Sequence, residues 1–324
     1  MTKSRANRAM LPQSRHKARP GHIAVAGYGW MALAVLIWAS WLVLTASGRA
    51  TGLSLVDLAV FRAAIPTVSL APVLWRHRDD IARLGWRRCL LLSAYGAPFT
   101  LCVGYGLGEA PVAHAGALVP GLMPVFAIAL SRVFLDERVG GRQVAALSLI
   151  LSGAGAIVLQ GADEMGADPI PIGHLFFLLG ALCWASFTVT LRAVDVSPFL
   201  ATAIVGAVSS LILVPYWFFS DASHLRAAPL ADITFQAVFQ GMISGLVSIF
   251  AFGRALRLIG GQAAALSALT PGVTTCLAVP VLGQIPSLVD ALALVLVVVG
   301  LIIPATGAPA SRIESPSPRN GASV

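Results

Sequence analysis

The chain of 324 residues is 57% apolar and only 11% charged, with a formal net charge of +8. A soluble domain is about 25% charged, and here the charges sit in short clusters between apolar runs of about 20 residues, the length that crosses a bilayer as a helix. Composition therefore excludes a soluble fold. It also sets aside nucleic acid as a partner, because Lys and Arg concentrate where a membrane protein keeps its cytoplasmic anchors.

Residues 1–26 carry Lys3, Arg5, Arg8, Arg15, Lys17 and Arg19 without an acid and read as a disordered cytoplasmic tail. A signal peptide is the rival reading, but the apolar run that follows is too long for a signal core. Ten spans are predicted, at about 28–46, 57–75, 89–107, 112–131, 143–160, 172–190, 198–219, 233–253, 262–282 and 287–305. They are helices because a helix satisfies its own backbone in lipid. With the N-terminus inside, the outer loops hold only Arg49 and Arg226, Arg62 lies within a span, and every other Lys and Arg falls inside. That bias places both termini in the cytoplasm of a multi-pass protein of the cytoplasmic (inner) membrane. Residues 307–324, rich in Ser, Pro and Ala, read as a second disordered cytoplasmic tail.

The stretch Ala115–Gln160 organises the rest. It reads as a helix broken by Pro120 and Pro124, a charged turn Asp136-Glu137-Arg138, and a second apolar helix. A degraded copy follows: Pro124 falls on Pro271, Glu137 on Gln284, Leu149 on Leu296 and Gly153 on Gly300, while Trp38-Ala39-Ser40 recurs as Trp184-Ala185-Ser186. A long fixed period marks an internal repeat, with residues 27–160 as the first unit and 161–306 as the second. Five helices per unit force the two units into opposite orientations. The expected fold is thus all-α and integral to the membrane, ten helices in two inverted five-helix repeats around a central cavity. Inverted repeats with a midplane site recur in secondary transporters.

Several stretches carry a resemblance: Leu36-Ile37-Trp38-Ala39-Ser40, Leu58-Ala59-Val60-Phe61-Arg62, the run Ala117 to Pro124, and Phe134-Leu135-Asp136-Glu137-Arg138. In order and spacing they resemble the EamA-type family of the drug/metabolite transporter superfamily, over roughly residues 28–306. The resemblance implies ten helices in two inverted repeats that move small organic solutes, often outward: amino acids, metabolites or drugs. This chain departs from the family's pattern at Asp136, where glycine is usual, and at Gln284, where a second turn glutamate is common. It departs also at Val205 or Val208, one of which stands where a second Arg62 would fall.

Trp38, Trp41 and Thr45 lie at i, i+3 and i+7 and share a helix face. Trp184 and Phe187, with Thr188 beside them, form the matching face of the second repeat. Both faces are expected to line the cavity, since aromatic walls with a few hydroxyls suit an amphipathic solute; helix packing is the competing reading. Arg62 is an intramembrane charge that needs a partner, with Asp57, Glu109, Asp290 or helix C-terminal carbonyls as candidates. It acts either as a clamp on its helix or as a contact for a substrate carboxylate. Pro124 and Pro271 remove helix hydrogen bonds, and Ser267, Thr270 and Thr274 stand around Pro271 to recover freed carbonyls and to meet a solute. Either proline marks a gate or a static kink. His114, at the outer start of the fourth span, is a candidate for proton coupling against a plain hydrated helix end.

Gly104-x3-Gly108, Gly241-x3-Gly245 and Ser152-Gly153-Ala154-Gly155-Ala156 read as close-packing patterns. The tenth span is apolar all round and is expected to face lipid or, in a homodimer, a second copy of the chain. Cys89, Cys102, Cys183 and Cys276 have no metal spacing, and no metal or cofactor is expected. No converging nucleophile, paired acids or glycine-rich phosphate loop speaks for an enzyme. The reading is a secondary transporter that exports a small neutral or zwitterionic organic solute (an amino acid, related metabolite or drug), its small-molecule partner, by alternating access. Nucleotide-sugar or organic-phosphate carriers are the alternative, less favoured because they would place more than one cation in the cavity; a membrane protein without transport ranks behind both.

Overall fold

The computed structural model describes residues 20–93, 95–134, 139–165, 172–194 and 196–305, without the side chains of 20–23, 162–165, 264 and 304–305. The Asp136-Glu137-Arg138 turn, the first 19 residues and the tail from 306 lie outside the described residues. Among those described, the chain is helical with no strand: α1 (Pro20–Ala50), α2 (Leu55–Ser69), α3 (Ala71–Arg76), α4 (Arg78–Leu84), α5 (Trp86–Ser93), α6 (Ala97–Glu109), α7 (Val112–Phe134), α8 (Gly141–Met165), α9 (Ile172–Val194), α10 (Pro198–Phe219), α11 (Leu230–Ala237), a π-helical segment Val238–Val247, α12 (Ser248–Ile259), α13 (Gly261–Ser267), α14 (Thr270–Leu282) and α15 (Leu288–Ala305). Eight helical stretches are long and apolar enough to cross a membrane; Leu288–Ile303 is apolar but shorter.

Three expectations are corrected. The chain is already helical from Pro20, inside the segment read as a disordered tail. The span expected at 57–75 is interrupted at Leu70, because Pro72 in the first turn of α3 cannot supply a backbone donor there. Conversely, α7 is not broken: it runs from Val112 to Phe134 through both Pro120 and Pro124. The second-half helix containing Pro271 is broken. Here α13 stops at Ser267 and α14 starts at Thr270, with Pro271 in its first turn, where a missing N–H costs nothing.

Two serines fix helix starts. Ser54 caps α2 in a reciprocal box with Asp57, which satisfies donors that a helix start leaves free. Ser287 and Asp290 exchange the same pair of bonds at the start of α15, at 2.9 and 3.1 Å.

Small residues set the tightest contacts. A Cβ on Gly153 would lie 2.6 Å from the carbonyl oxygen of Ala293, and one on Gly300 would lie 2.9 Å from that of Ala146, so α8 and α15 meet nearly backbone to backbone. Gly241 and Gly245 of the π segment likewise leave room for Ile65 and Pro66 of α2. Without a hydrophobic drive between helices in lipid, such close approach supplies the packing. The other face of α15 (Leu288, Leu292, Val295, Val299) is exposed.

Candidate functional site

The largest buried core gathers Trp41 of α1, Phe99 of α6 and Phe177 of α9, with Trp184 packed against it. At its edge sits an aromatic cluster built around Tyr95, in the turn between α5 and α6. The Tyr95 ring meets Trp184 edge-on at 4.2 Å, Phe187 at 4.7 Å and Phe99 at 5.2 Å between centroids. Phe99 stacks on Trp41 at 5.3 Å. Arg62 reaches into this cluster from α2. Its guanidinium carbon lies 4.4 Å from the centre of the Trp41 ring, a cation–π distance. Its Nη1 donates to Ser244 Oγ of the π segment at 2.6 Å, and Nη2 to the Tyr95 hydroxyl at 3.4 Å.

None of the three acids expected to face Arg62 does so as an ion pair. Asp57 is fully buried and its carboxylate is already used: it accepts from Trp217 Nε1 at 2.7 Å, Ser223 Oγ at 2.9 Å, the His224 N–H at 3.0 Å and the Ser54 N–H at 2.9 Å. Asp290 faces His114, and Glu109 is exposed at the end of α6. Among the described residues no carboxylate lies within ion-pair distance of Arg62.

Beside the guanidinium lies a cavity of about 50 Å³, lined among others by Arg62, Tyr95, Thr100, Val205, Ser209 and Ser244. Val205 is one of the two aliphatic positions aligned with Arg62, so the two halves meet here with a charge on one side only. The volume holds a water or two and is well below the 300 Å³ or so of a typical ligand pocket. Arg62 is its one charged wall residue.

The structure therefore brings four of the sequence-predicted residues together, Trp41, Arg62, Trp184 and Phe187, through three that sequence reasoning missed, Tyr95, Phe99 and Ser244. The others lie elsewhere. Trp38 packs on Phe252 of α12 at 5.3 Å, within a separate cluster. Thr45 is buried and accepts from Gln240 Nε2 at 3.2 Å, in a polar ladder that continues to Gln236 and the Leu44 carbonyl. The face shared by Trp38, Trp41 and Thr45 thus splits between α12, α6 and the π segment. Thr188 donates to the Trp184 carbonyl at 3.0 Å. Thr270 donates to the Ser267 carbonyl at 2.8 Å, across the break before α14, and Thr274 to the Thr270 carbonyl at 2.9 Å within α14. Pro124 lies within the unbroken α7 and Pro271 is buried in the first turn of α14.

His114 is no hydrated helix end. It is 2% exposed, and its ring nitrogens meet His174 Nε2 at 2.8 Å and Asp290 Oδ1 at 2.9 Å. His174 was not singled out from the sequence. The one available signal was the serine three residues before Asp290, which matches the Ser54-Leu55-Val56-Asp57 capping pattern as Ser287-Leu288-Val289-Asp290.

Comparison with known proteins defines the class. The profile of the EamA-like transporter family matches the chain twice, over residues 25–159 and again over 171–305. The chain belongs to that family and is a multi-pass integral membrane protein. A curated relative, the uncharacterized transporter YyaM of Bacillus subtilis (strain 168), is 29% identical over 140 residues; the match spans 40% of this chain and 45% of that protein. One solved crystal structure is similar over 88% of this chain and 96% of its own, with a TM-score of 0.57 at 21% identity, a likeness of fold.

Proposed function

We propose that the protein is a secondary transporter that moves a small neutral or zwitterionic organic solute outward across the cytoplasmic membrane by alternating access. The observation that carries this reading is the Arg62 cluster: a guanidinium with no carboxylate partner among the described residues, ringed by Trp41, Tyr95, Trp184 and Phe187, and facing a small cavity between the two family matches. A charge left unpaired in a membrane interior is costly, by at least ~2.5 kcal/mol on insertion scales. A carboxylate on the solute is the counter-charge that would offset it, while the rings take the apolar or cationic remainder. The indole Nε1 of Trp41, a buried donor with no acceptor, adds a further point of attachment. A phosphate carrier would want a second cation, and Arg62 is the one charged side chain on the cavity wall.

The ten-helix inverted arrangement, with halves 27–160 and 161–306 and both termini inside, belongs to the same proposal. It is supported by the way α1 ends where α9 begins. Arg49 in the last turn of α1 donates to the Gly104 carbonyl of α6 at 2.6 Å, and Gly173 at the start of α9 packs on Glu109 at the end of that same α6. Corresponding helices of the two halves therefore run in opposite senses. The break before Pro271 is the hinge this reading requires, because the Thr270 hydroxyl already holds the Ser267 carbonyl there.

The test is to profile the medium of cells expressing the wild type, Trp184→Ala or an empty vector by mass spectrometry. Accumulation of one solute class with the wild type alone supports export through the aromatic cluster. Three coincident profiles would remove export of a common metabolite.

A further inference from the structure

We propose that His114, His174 and Asp290 form a proton-binding site that latches one end of the helix bundle. The three are each the third residue of their helices, α7, α9 and α15. They make one chain of short hydrogen bonds: His174 Nε2 to His114 Nδ1 at 2.8 Å, and His114 Nε2 to Asp290 Oδ1 at 2.9 Å. His174 is fully buried, and its remaining nitrogen, Nδ1, has no hydrogen-bond partner among the described residues. Gly161 lets the His174 ring lie against α8: a Cβ there would collide with the ring carbon Cε1.

Proton roles follow from taking Asp290 as ionised. His114 Nε2–H then donates to the carboxylate, His114 Nδ1 accepts from His174 Nε2–H, and His174 Nδ1 holds a bare lone pair. In that state the buried group carries a net negative charge, which burial disfavours. A proton arriving at His174 Nδ1 makes an imidazolium there. Transfer of the Nε2 proton to His114 Nδ1 then moves the positive charge next to Asp290, and the triad becomes neutral overall. No bond other than N–H changes, and the proton ends within a buried ion pair. Three helix N-termini favour the ionised carboxylate and oppose a cationic ring, while burial of a net charge favours the proton-loaded, neutral triad; these two effects act against each other.

Around the triad, the described groups of the packed elements are placed as follows. From α6, Glu109 is exposed, and from α1, Arg49 turns its guanidinium to the carbonyls of Gly104 and Tyr105. From α8, Gln160 bonds Ser287; the side chains of Asp163 and Glu164 lie outside those described. Gln284, before α15, accepts from the Val112 N–H at 2.8 Å. α13 has no titratable residue, and Cys276 of α14 is exposed.

Because α7 belongs to the first family match and α9 and α15 to the second, parting the two halves at this end must pull His114 from His174 or Asp290. Loading the proton holds this end closed; losing it leaves a buried charge that is relieved by opening to water. The role in transport rests on the transporter reading, but the proton site stands without it, and its test uses no solute. Hydrogen–deuterium exchange of the purified full chain, corrected for intrinsic rates, is expected to slow at the starts of α7 and α15 as pH falls from 8 to 6, by at most about ten-fold per pH unit, the limit for one linked proton. His114→Gln and His174→Gln should flatten that response, while Asp163→Asn and Glu164→Gln retain it. In the wild type, the 15N signals of His114 and His174 should titrate together. Exchange that is flat with pH in the wild type, a response that survives both histidine substitutions, or two ring signals that do not move between pH 5 and 9 would each overturn the proposal. Those results leave the export assay untouched, and a failed export assay leaves them untouched.

Discussion

At the residue scale the two charges of α2, buried Asp57 and half-buried Arg62, are handled in opposite ways. Asp57 is fully satisfied, with its carboxylate tying the start of α2 to Trp217, Ser223 and His224. Asp57→Asn keeps the shape and loses the charge-assisted bonds, each worth about 1.5–3 kcal/mol. A clear fall in the thermal unfolding midpoint in detergent is expected, and an unchanged midpoint would show that this network contributes little. Arg62 is held by one hydroxyl at short range, a weaker bond to Tyr95 and the Trp41 ring. Arg62→Leu is therefore expected to leave the midpoint nearly unchanged or raised while export falls at least ten-fold. Arg62→Lys should also fail to transport, since a point charge cannot bond Ser244 and spread over an indole together. A large loss of stability in both would make Arg62 a structural clamp. Trp41, Arg62, Trp184 and Phe187 were legible in the sequence because helix spacing and an out-of-place charge announce themselves locally. Tyr95, Phe99 and Ser244 were not. They reach the cluster from a turn, a third helix and a π segment, and no periodicity within one helix encodes contacts between residues such as Arg62 and Ser244.

Elements are where the sequence reading erred most instructively. Pro120 and Pro124 were taken as breaks, and Pro72 was not. Yet α7 carries Pro120 and Pro124 without interruption, whereas the helix line at Ser267–Thr270 parts just before Pro271. A proline removes one donor in either place; at Pro271 the Ser267 carbonyl left without its helix donor is met by the Thr270 hydroxyl at 2.8 Å. Small-residue patterns were read correctly as close approach, and Gly153 is the sharpest case. Its Cβ position lies 2.6 Å from the Ala293 carbonyl oxygen and 2.9 Å from Val297 Cγ2. The backbone of Ala293 cannot give way as a flexible side chain would. Gly153→Leu should force α15 off α8 at a cost of about 1–3 kcal/mol or more, seen as a lower unfolding midpoint and faster proteolysis near residues 284–287. Gly155→Ala, with nothing within 4 Å of its Cβ position, should leave both unchanged. Equal effects from the two would refute the packing account.

For the whole molecule, the charge pattern and the contacts between helix ends agree on which ends lie together. Arg49, Asp57, Glu109, His114, Gly173, Ser223 and Asp290 are joined by contacts at one end of the bundle. At the other, Gly27 packs on Ile259 and Arg142 donates to the Ile303 carbonyl, among the segments that hold most of the arginines. The basic end is the cytoplasmic one if the usual bias holds. Single cysteines decide it once the native Cys89, Cys102, Cys183 and Cys276 are replaced. Asp221→Cys, exposed in the loop after α10, should react with a membrane-impermeant maleimide in intact cells. Gly140→Cys, exposed before α8, should react only after permeabilisation. Opposite accessibility of the two positions follows because α8 and α10 are separated by α9, so that the loop after α10 and the turn before α8 lie at different ends. Reaction of both in intact cells would mean that one of these stretches does not cross the bilayer, and the opposed arrangement of the halves would fall with it. Reversed accessibility would keep that arrangement and turn the molecule over, placing the His114–His174–Asp290 end in the cytoplasm and its proton supply on the inner side.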